Sequence, residues 1–231
     1  THVGLKGEHL KKIYNWQRND IGLHYTDHTK GNIHTKFLID KYGTNDETSV
    51  THREVFFDIE IEIGGTLTPE YIKSAPKPVT SIAWWDRQID EWKIVIVDKE
   101  GKLEHTFDSQ GREVIPVSRE TDLLDKFVSM MEEVQPDILV GYNSDYFDIP
   151  YLYYRMKKRL GERHARRLSP IRVVEEREWS ADQPIRIAGV ASLDYMRLHK
   201  KYSFQQEPSM KLDFLGEKYV GQKKIEYKGS L

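Results

Sequence analysis

The chain has 231 residues, a formal net charge of −2, 38% hydrophobic residues and no cysteine. This length allows one large domain, or one domain with a smaller unit, and enough chain to bury a sizeable core. The lack of cysteine excludes disulfides and thiolate metal sites and suits a reducing compartment, so we expect a cytoplasmic protein. The near-neutral charge argues against binding to nucleic acid through overall charge. No apolar run of membrane-spanning length and no signal-peptide pattern occur, which predicts a soluble protein without a membrane partner.

The first part of the chain is predicted to be separate from the rest. Residues 1–50 mix polar residues with short apolar runs, which is typical of an appendage. A core domain is expected to begin at about Thr51, where a regular strand pattern starts.

That strand pattern, Glu54 to Ile63, carries two acidic residues on one face. Asp58 and Glu60 point the same way, while the opposite face holds five apolar residues, namely Val55, Phe57, Ile59, Ile61 and Ile63. Two neighbouring carboxylates with no basic residue between them repel each other, and a divalent cation stabilises such a pair at neutral pH. The alternative is an ordinary half-buried strand with an acidic face in solvent.

A loop, a hairpin and an amphipathic helix are predicted next. Residues 64–78 contain two glycines and several prolines, which predicts a loop. The strand candidates Val79 to Trp85 and Trp92 to Val97 are joined by a polar turn and predict a hairpin. A helix follows, with Ser118 as its N-cap and Pro136 beyond its end. Its apolar stripe is interpreted as core and comprises Leu123, Leu124, Phe127, Met130, Met131 and Val134.

A third carboxylate, Asp148, lies between a strand and a helix. The buried run from Ile138 predicts a short strand that ends at Gly141, and Pro150 marks the start of a helix. One interpretation makes Asp148 only the N-cap of that helix. The other is that Asp148 reaches a metal held by Asp58, because strand ends and helix starts meet at one end of a sheet.

The predicted helix continues into a basic segment. Arg155 to Arg167 contains seven lysine or arginine residues and a single acid, Glu162. One interpretation is a charged helix face in solvent. The other is a rim that contacts phosphates through Lys157, Lys158 and Arg159, with a contribution that weakens as salt rises.

The last predicted elements are a second hairpin and two helical segments. Their limits are Ile171 to Val174 and Ile185 to Val190 for the hairpin strands, and residues 193–195 and 209–219 for the helices. Asp194 and Asp213 match no metal-binding motif and are interpreted as caps or surface charges.

Two of these stretches resemble a known family. Asp58-Ile59-Glu60, followed by Asn143-x-x-x-Phe147-Asp148, is similar to the first two exonuclease motifs of the proofreading domain of family B DNA polymerases. The T-even bacteriophage type is the most similar, because residues 140–154, 166–170 and 192–204 also look alike. The resemblance covers roughly residues 50 to 231 and is weaker before them. Both motifs occur in the family's order and spacing, which makes the match specific.

The resemblance implies a fold and a reaction. The fold is a mixed α/β, ribonuclease H-like exonuclease fold, with a mixed central sheet, helices on its faces and a β-hairpin insertion. The reaction is hydrolysis of the 3′-terminal nucleotide of single-stranded DNA with two Mg²⁺ or Mn²⁺ ions. Asp58 would hold both ions, Glu60 the ion that carries the attacking water, and Asp148 the ion facing the leaving oxygen. Asn143 and Phe147 would support the strand terminus. The hairpin would help to hold the primer strand apart from its template, or be a mere surface excursion.

The family's third motif, Tyr-x-x-x-Asp downstream of the second, does not occur. The only such pattern, Tyr42 to Asp46, precedes the first motif. A histidine version needs an aspartate five residues on, but His164 and His199 are followed there by Ser169 and Phe204. By resemblance, a metal ligand and a water-orienting hydroxyl are missing, so we expect low or no activity from these residues alone.

The resemblance leaves three hypotheses open. In the first, residues 1–50 are a remnant of a polymerase N-terminal domain, residues 51–231 are an exonuclease domain truncated before its third motif, and the remainder of the polymerase is the partner. In the second, the chain is a subunit of a split polymerase, and a partner chain supplies the missing motif. In the third, it is a catalytically dead nuclease fold that binds DNA, which the intact Asp58, Glu60 and Asp148 disfavour. A viral relative would place the protein in the host cytoplasm.

Overall fold

The computed structural model describes residues 2–3, 9–10, 38–39, 41–45, 51–62, 64–177, 180–203 and 207–223. Contacts divide the chain into two compact units, Thr1–Val50 and Thr51–Leu231. In the first unit, β1 (His2–Val3) and β2 (His9–Leu10) form an antiparallel pair.

The second unit is built on a seven-stranded sheet, which is mixed, as the family resemblance implies. The strand order is β11-β8-β3-β4-β5-β7-β6. The strands are β3 (Glu54–Ile61), β4 (Val79–Asp86), β5 (Glu91–Val97), β6 (Thr106–Phe107), β7 (Glu113–Val117), β8 (Ile138–Gly141) and β11 (Ala191–Asp194). β3 lies in the centre, antiparallel to β4 and parallel to β8.

The alternation predicted for β3 is confirmed. Val55, Phe57 and Ile59 are buried, and Asp58 and Glu60 are exposed. The regular pairing with β4 shifts between Glu60 and Ile61, where a bulge lies directly after the acidic pair. Ile63, at the end of the predicted pattern, lies outside the described residues.

An aromatic row crosses the sheet beside the acidic pair. The hairpin of β4 and β5 is confirmed, and it places Phe56, Trp85 and Trp92 on neighbouring strands. The ring centroids are 5.1 Å apart for Phe56 and Trp85 and 5.3 Å apart for Trp85 and Trp92. Cross-strand aromatic pairs of this kind stabilise a sheet and fix its register. They therefore fix the position of β3, the strand that carries Asp58.

A short helix, α1 (Pro69–Ser74), occupies part of the stretch that the sequence analysis assigns to a loop. That assignment is wrong for these six residues. The Oγ1 atom of Thr68 accepts a hydrogen bond from the Tyr71 amide at 3.2 Å, and Pro69 occupies the first turn. An N-cap threonine followed by proline is a helix start signal, because it satisfies or removes amides that the first turn leaves unpaired.

The predicted core helix is α2 (Glu120–Val134), which packs against β4, β5 and β7. Its buried face is formed by Leu123, Leu124, Phe127, Val128, Met130 and Met131, so the stripe is core, as predicted. The helix begins one residue later than expected. Arg119 rather than Ser118 occupies the N-cap position, and it makes no side-chain capping bond.

Helix α3 (Asp148–Leu160) follows β8 and packs against α1, and α4 (Glu162–Ala165) continues the same region. The second predicted hairpin is present as a separate pair of shorter strands, β9 (Val174–Glu176) and β10 (Ile185–Ile187).

The end of the domain differs from the prediction at one strand. Residues 193 and 194 belong to β11, which runs parallel to β8, and not to a helix. Helix α5 (Tyr195–Tyr202) begins directly after it, and α6 (Leu212–Val220) is followed by Gly221 in a left-handed conformation. Within the described ranges, no helix is long and apolar enough to cross a membrane.

Candidate active site

The site forms where β3 extends past the end of β8. The parallel pairs of these strands end at Phe56 and Val140, and β8 ends at Gly141. Beyond this point, the Ile59 amide donates a hydrogen bond to Oδ1 of Asp148 at 3.3 Å. Past the end of β8, the edge of β3 is therefore bonded by the second motif. The bond is made at Ile59, the residue between Asp58 and Glu60 in the sequence.

A tight turn brings Asp148 to that edge. A Cβ atom on Gly141 would lie 2.6 Å from the Cβ of Ser144, so only glycine fits the close approach of the chain after β8. Asn143 has a φ of 60°, a left-handed conformation that asparagine tolerates. The Phe147 amide then donates to the Asn143 carbonyl at 3.0 Å, which closes the turn ahead of helix α3.

The prediction that Asp148 is an N-cap is wrong by one residue. Phe147 occupies the N-cap position and makes no capping bond with its side chain, while Asp148 is the first residue of α3. Helix side chains point back toward the N-terminus. The carboxylate of Asp148 accepts the amide of Ile59, a residue of another element, and is placed by the sheet.

Two carboxylates meet at the site. Asp148 is 3% exposed, and burial raises its pKa well above the usual range, with the negative charge of Asp58 as the next largest cause. The bond from Ile59 partly offsets this, and the charge of Asp194 adds to it. Burial and the charge of Asp58 therefore disfavour the Asp148 carboxylate, and a nearby positive charge favours it.

Glu60 shares the exposed face of β3 with Asp58, two residues farther along the strand. In the part of the chain that the structure describes, no three His, Cys, Asp or Glu side chains are arranged as a metal-binding group. The convergence of Glu60 with Asp58 and Asp148 thus stays a prediction. The donor chemistry fits hard divalent cations, because Asp58 and Asp148 offer carboxylate oxygens close enough for the charge of Asp58 to raise the pKa of Asp148.

Two further acids, Asp145 and Asp194, hold the second motif. Asp194 is buried and caps α5 by accepting the Met196 amide at 2.9 Å, so its interpretation as a cap is confirmed. It also accepts the amides of Asn143 at 2.9 Å and of Asp145 at 3.2 Å. One carboxylate therefore ties the motif to the end of β11.

The side chain of Asp145 adds further bonds between the second motif and the residues around β11. It is 2% exposed, and its carboxylate accepts hydrogen bonds from Ser192, from Gln183 at 3.3 Å and from Arg197 at 2.6 Å. No role for Asp145 is predicted from the sequence. The only sequence signal for Asp145 is its position inside the second motif.

The two expected supports of the strand terminus lie beside Asp148. Asn143 and Phe147 are both half-buried. The Phe147 ring lies 5.5 Å from the Tyr151 ring between centroids, so its position is fixed by the core. Their contact with DNA stays a prediction.

The basic segment is largely engaged with the protein's own acceptors. Arg155 is 6% exposed and pairs with Glu120 at 2.6 Å, while its other nitrogen donates to the carbonyls of residues 75 and 76. Lys157 pairs with Glu176 at 2.8 Å, and Lys158 donates to the Ser74 carbonyl at 3.1 Å. Arg159 is half exposed and lies 3.5 Å from Glu120. Any phosphate would compete with these partners.

Comparison with known proteins identifies the family of this domain. Residues 20–215 match the family model of the DNA polymerase family B exonuclease domain. The chain is 35% identical over 153 residues to the DNA-directed DNA polymerase of Escherichia phage RB69, covering 62% of this chain and 17% of that protein. It is 25% identical over 251 residues to that of Enterobacteria phage T4, covering 96% of this chain and 27% of that protein. A DNA polymerase of Pyrococcus glycovorans is 32% identical over 123 residues, which cover 53% of this chain and 14% of that protein.

The chain thus spans between 14% and 27% of the length of these relatives. The matched residues include both acidic motifs and the sheet that carries them. The chain therefore belongs to the exonuclease domain family of the family B DNA polymerases, whose fold is ribonuclease H-like.

Proposed function

We propose that residues 51–231 form a 3′–5′ proofreading exonuclease domain and that residues 1–50 belong to the N-terminal domain of the same polymerase. The substrate is the 3′ end of single-stranded DNA. The partner is the remainder of a polymerase or a complementing subunit. The observation that supports the proposal is the bond from the Ile59 amide to Asp148, because Ile59 is the residue between Asp58 and Glu60 in the first motif.

Asp58, Glu60 and Asp148 are the residues that would hold the ions. Two Mg²⁺ or Mn²⁺ ions, when bound, would lower the pKa of an attacking water and stabilise the leaving oxygen. Asp58 is exposed and accessible to a strand terminus, whereas Asp148 is buried and held by the sheet edge. Asn143 and the fixed ring of Phe147 would orient the terminal nucleotide, since both lie in the turn that leads to Asp148.

Phosphate contacts are proposed for Lys157, Lys158 and Arg159. Arg159 is the most available of the three, because it is half exposed and its 3.5 Å partner, Glu120, already accepts two bonds from Arg155. The contribution of all three would fall as salt rises.

Binding of Mn²⁺, measured by calorimetry on the chain itself, tests the site without relying on turnover. We expect Asp58→Asn and Asp148→Asn each to weaken Mn²⁺ binding at least tenfold, or about 1.4 kcal/mol. Glu60→Gln should weaken it as well. The matched control is Glu104→Gln, an exposed acid in the loop between β5 and β6, which should leave the affinity unchanged.

Hydrolysis of single-stranded DNA carrying a label at its 5′ end then gives the direction. A ladder of stepwise shortened, 5′-labelled products with Mn²⁺ supports attack from the 3′ end, and Asp58→Asn must abolish it. Full activity in Asp58→Asn contradicts the proposal. DNA binding without any Mn²⁺ binding supports the catalytically dead module instead.

A further inference from the structure

A surface cavity of about 310 Å³ lies beside the second motif and shares helix α3 with Asp148. Its described lining comes from α1, from the turn before α3 and the first turns of α3, and from residues 176, 177, 180, 181 and 184 of the β9–β10 hairpin. The volume is at the lower end of the range of small-molecule sites in proteins. It suits one flat ring system with its substituents.

The lining is mainly apolar and aromatic, with a few polar groups at the border. Its apolar wall is formed by Pro69, Ile72, Tyr146, Pro150, Tyr154 and Pro184. Ile72 and Pro150 are buried and form the inner part, whereas Tyr146 and Tyr154 are half-buried. A ring entering here would meet two phenol rings and several rigid pyrrolidine rings.

Both tyrosine rings are held at their far ends. The hydroxyl of Tyr146 donates to the Leu67 carbonyl at 3.4 Å, and that of Tyr154 donates to Oε2 of Glu176 at 3.4 Å. Hydrogen bonds at the tip of a ring restrict its rotation, so a ligand loses less free energy in ordering it. The cavity is therefore largely prepared for a planar partner.

The border of the cavity carries two cations. Lys73 follows Ile72 in α1, and Arg177 follows β9. Arg177 donates to Gln183 at 3.3 Å and to Glu175 at 3.3 Å, which aligns its guanidinium along the hairpin. Among the described lining residues the acid is Glu176, which pairs with Lys157 at 2.8 Å. Lys73 and Arg177 thus bring positive charge to the border, and a phosphate would compete with Glu175 for Arg177.

The cavity is close to the proposed cleavage site along the chain. Tyr146 lies two residues before Asp148 and Pro150 two residues after it, so each Cα lies within roughly 7 Å of the Cα of Asp148. An occupant of the cavity is therefore about one nucleotide to a few nucleotides away from a strand end at Asp148. A DNA strand combines the required chemistry, since it carries planar bases on an anionic backbone.

We propose that this cavity is a base-binding subsite of the exonuclease, taking one nucleobase upstream of the 3′-terminal nucleotide. The base stacks on Tyr146 and Tyr154, and its phosphate lies toward Lys73 and Arg177. Stacking accepts every base, so the subsite fixes the position of the single strand without selecting a sequence. The inference rests on the proposed function, because it needs a strand end at Asp148.

Binding of a short oligonucleotide in Ca²⁺, measured by fluorescence anisotropy, tests the subsite without hydrolysis. Base–aromatic stacking contributes about 1–3 kcal/mol per base, so Tyr146→Ala should weaken binding roughly 5- to 150-fold. Tyr146→Phe keeps the ring and should bind almost like the native chain. It also keeps the test informative if the alanine variant does not fold. Tyr202→Ala, which removes an exposed tyrosine on α5, is the matched control and should bind normally.

A set of oligonucleotides, each with one abasic position near the 3′ end, locates the base. We expect one abasic position to weaken binding to the native chain and to make Tyr146→Ala indistinguishable from native on that oligonucleotide. An equal loss in Tyr146→Ala on every abasic oligonucleotide, or no loss on the intact one, overturns the subsite. Either result leaves Mn²⁺ binding and its loss in Asp58→Asn untouched, so failure of the subsite is distinct from failure of the exonuclease.

Discussion

Oδ1 of Asp148 accepts a hydrogen bond from the backbone amide of Ile59 at 3.3 Å, across 89 residues of sequence. The bond is slightly longer than the usual N–H···O range of about 2.7–3.2 Å, and the carboxyl that accepts it is buried near the charge of Asp58. Such a position is unfavourable for a carboxylate unless a cation is present. The buried carboxylate of Asp148 therefore lowers the stability of the cation-free fold, at the point where the proposed chemistry needs negative charge.

Asp148→Asn should make the cation-free protein more stable at neutral pH. An asparagine oxygen can still accept the Ile59 amide, while the buried charge is removed. We expect a gain on the order of 1 kcal/mol, the usual size of single-substitution effects, together with loss of Mn²⁺ binding. Urea unfolding in EDTA measures the gain, and Asp213→Asn on the exposed surface of α6 provides the control.

The effect of Asp148→Asn on the free energy of unfolding should depend on pH. The pKa of Asp148 is raised in the folded state from its ordinary value of 3.8, so the native fold binds this proton more tightly than the unfolded chain. Its contribution is fully present below about pH 3.8 and is lost as pH rises toward the folded pKa. The variant and the native chain should therefore differ little at about pH 4 and most at about pH 7. A constant difference would show that charge is not the cause.

The elements with a strong local pattern were predictable from the sequence. Strict alternation in β3, the polar turn of the β4–β5 hairpin and the period of α2 were each sufficient, because all three depend on neighbouring residues. β11 was not predictable in this way. It is four residues long, and its strand character comes from pairing with β8, more than fifty residues earlier. Helix α1 was missed although Thr68 and Pro69 form a recognisable start signal.

The site also combines residues whose roles were predictable from the sequence with residues whose roles were not. The motif spacing predicted that Asp58 and Asp148 come together, and their electrostatic coupling is consistent with that. The roles of Asp145 and Asp194 depend on bonds that join residues about fifty positions apart. Arg155 was grouped with the basic segment because composition cannot distinguish a buried arginine from an exposed one.

Arg197→Gln should destabilise the protein through Asp145. The side chain of Asp145 is 3% exposed and would lose its 2.6 Å charged partner, keeping only Ser192 and Gln183. We expect a loss of about 1–3 kcal/mol in the free energy of unfolding. A double-mutant cycle with Asp145→Asn, followed by urea unfolding, should give a coupling of about 0.5–3 kcal/mol. Arg186→Gln removes an exposed pair with Glu175 and should change stability by less than about 0.5 kcal/mol.

Arg155→Ala should be among the most destabilising changes in the domain. Its guanidinium is buried, binds both oxygens of Glu120 and donates to the Ala75 carbonyl. Removing one partner of a buried pair costs about 3–5 kcal/mol, because the remaining charge is left unpaired. Thermal or urea unfolding measures the loss. Arg163→Ala, an exposed position in the same basic segment, should be nearly neutral. If both behave alike, Arg155 is not a structural residue.

Glu132→Gln should reveal a second, opposite pH dependence. Glu132 accepts bonds from Arg167 at 2.6 Å and from Arg172 at 2.6 Å, and chiefly the bond from Arg167 lowers its pKa from 4.5 to about 2. A lowered folded pKa contributes stability above pH 4.5, which is lost as pH falls toward about 2.

The glutamine variant should therefore be less stable than the native chain at about pH 7, by about 1–3 kcal/mol after allowance for the partial exposure of this carboxylate to solvent. The difference should shrink as the pH falls below about 4.5, because protonation weakens the same ion pairs in the native chain. Urea unfolding across this window measures it. Glu133→Gln, at the next and exposed position of α2, should give a flat profile. A difference for Glu132→Gln that persists unchanged at about pH 2.5 would mean that hydrogen-bond geometry, and not charge, ties α2 to the two arginines.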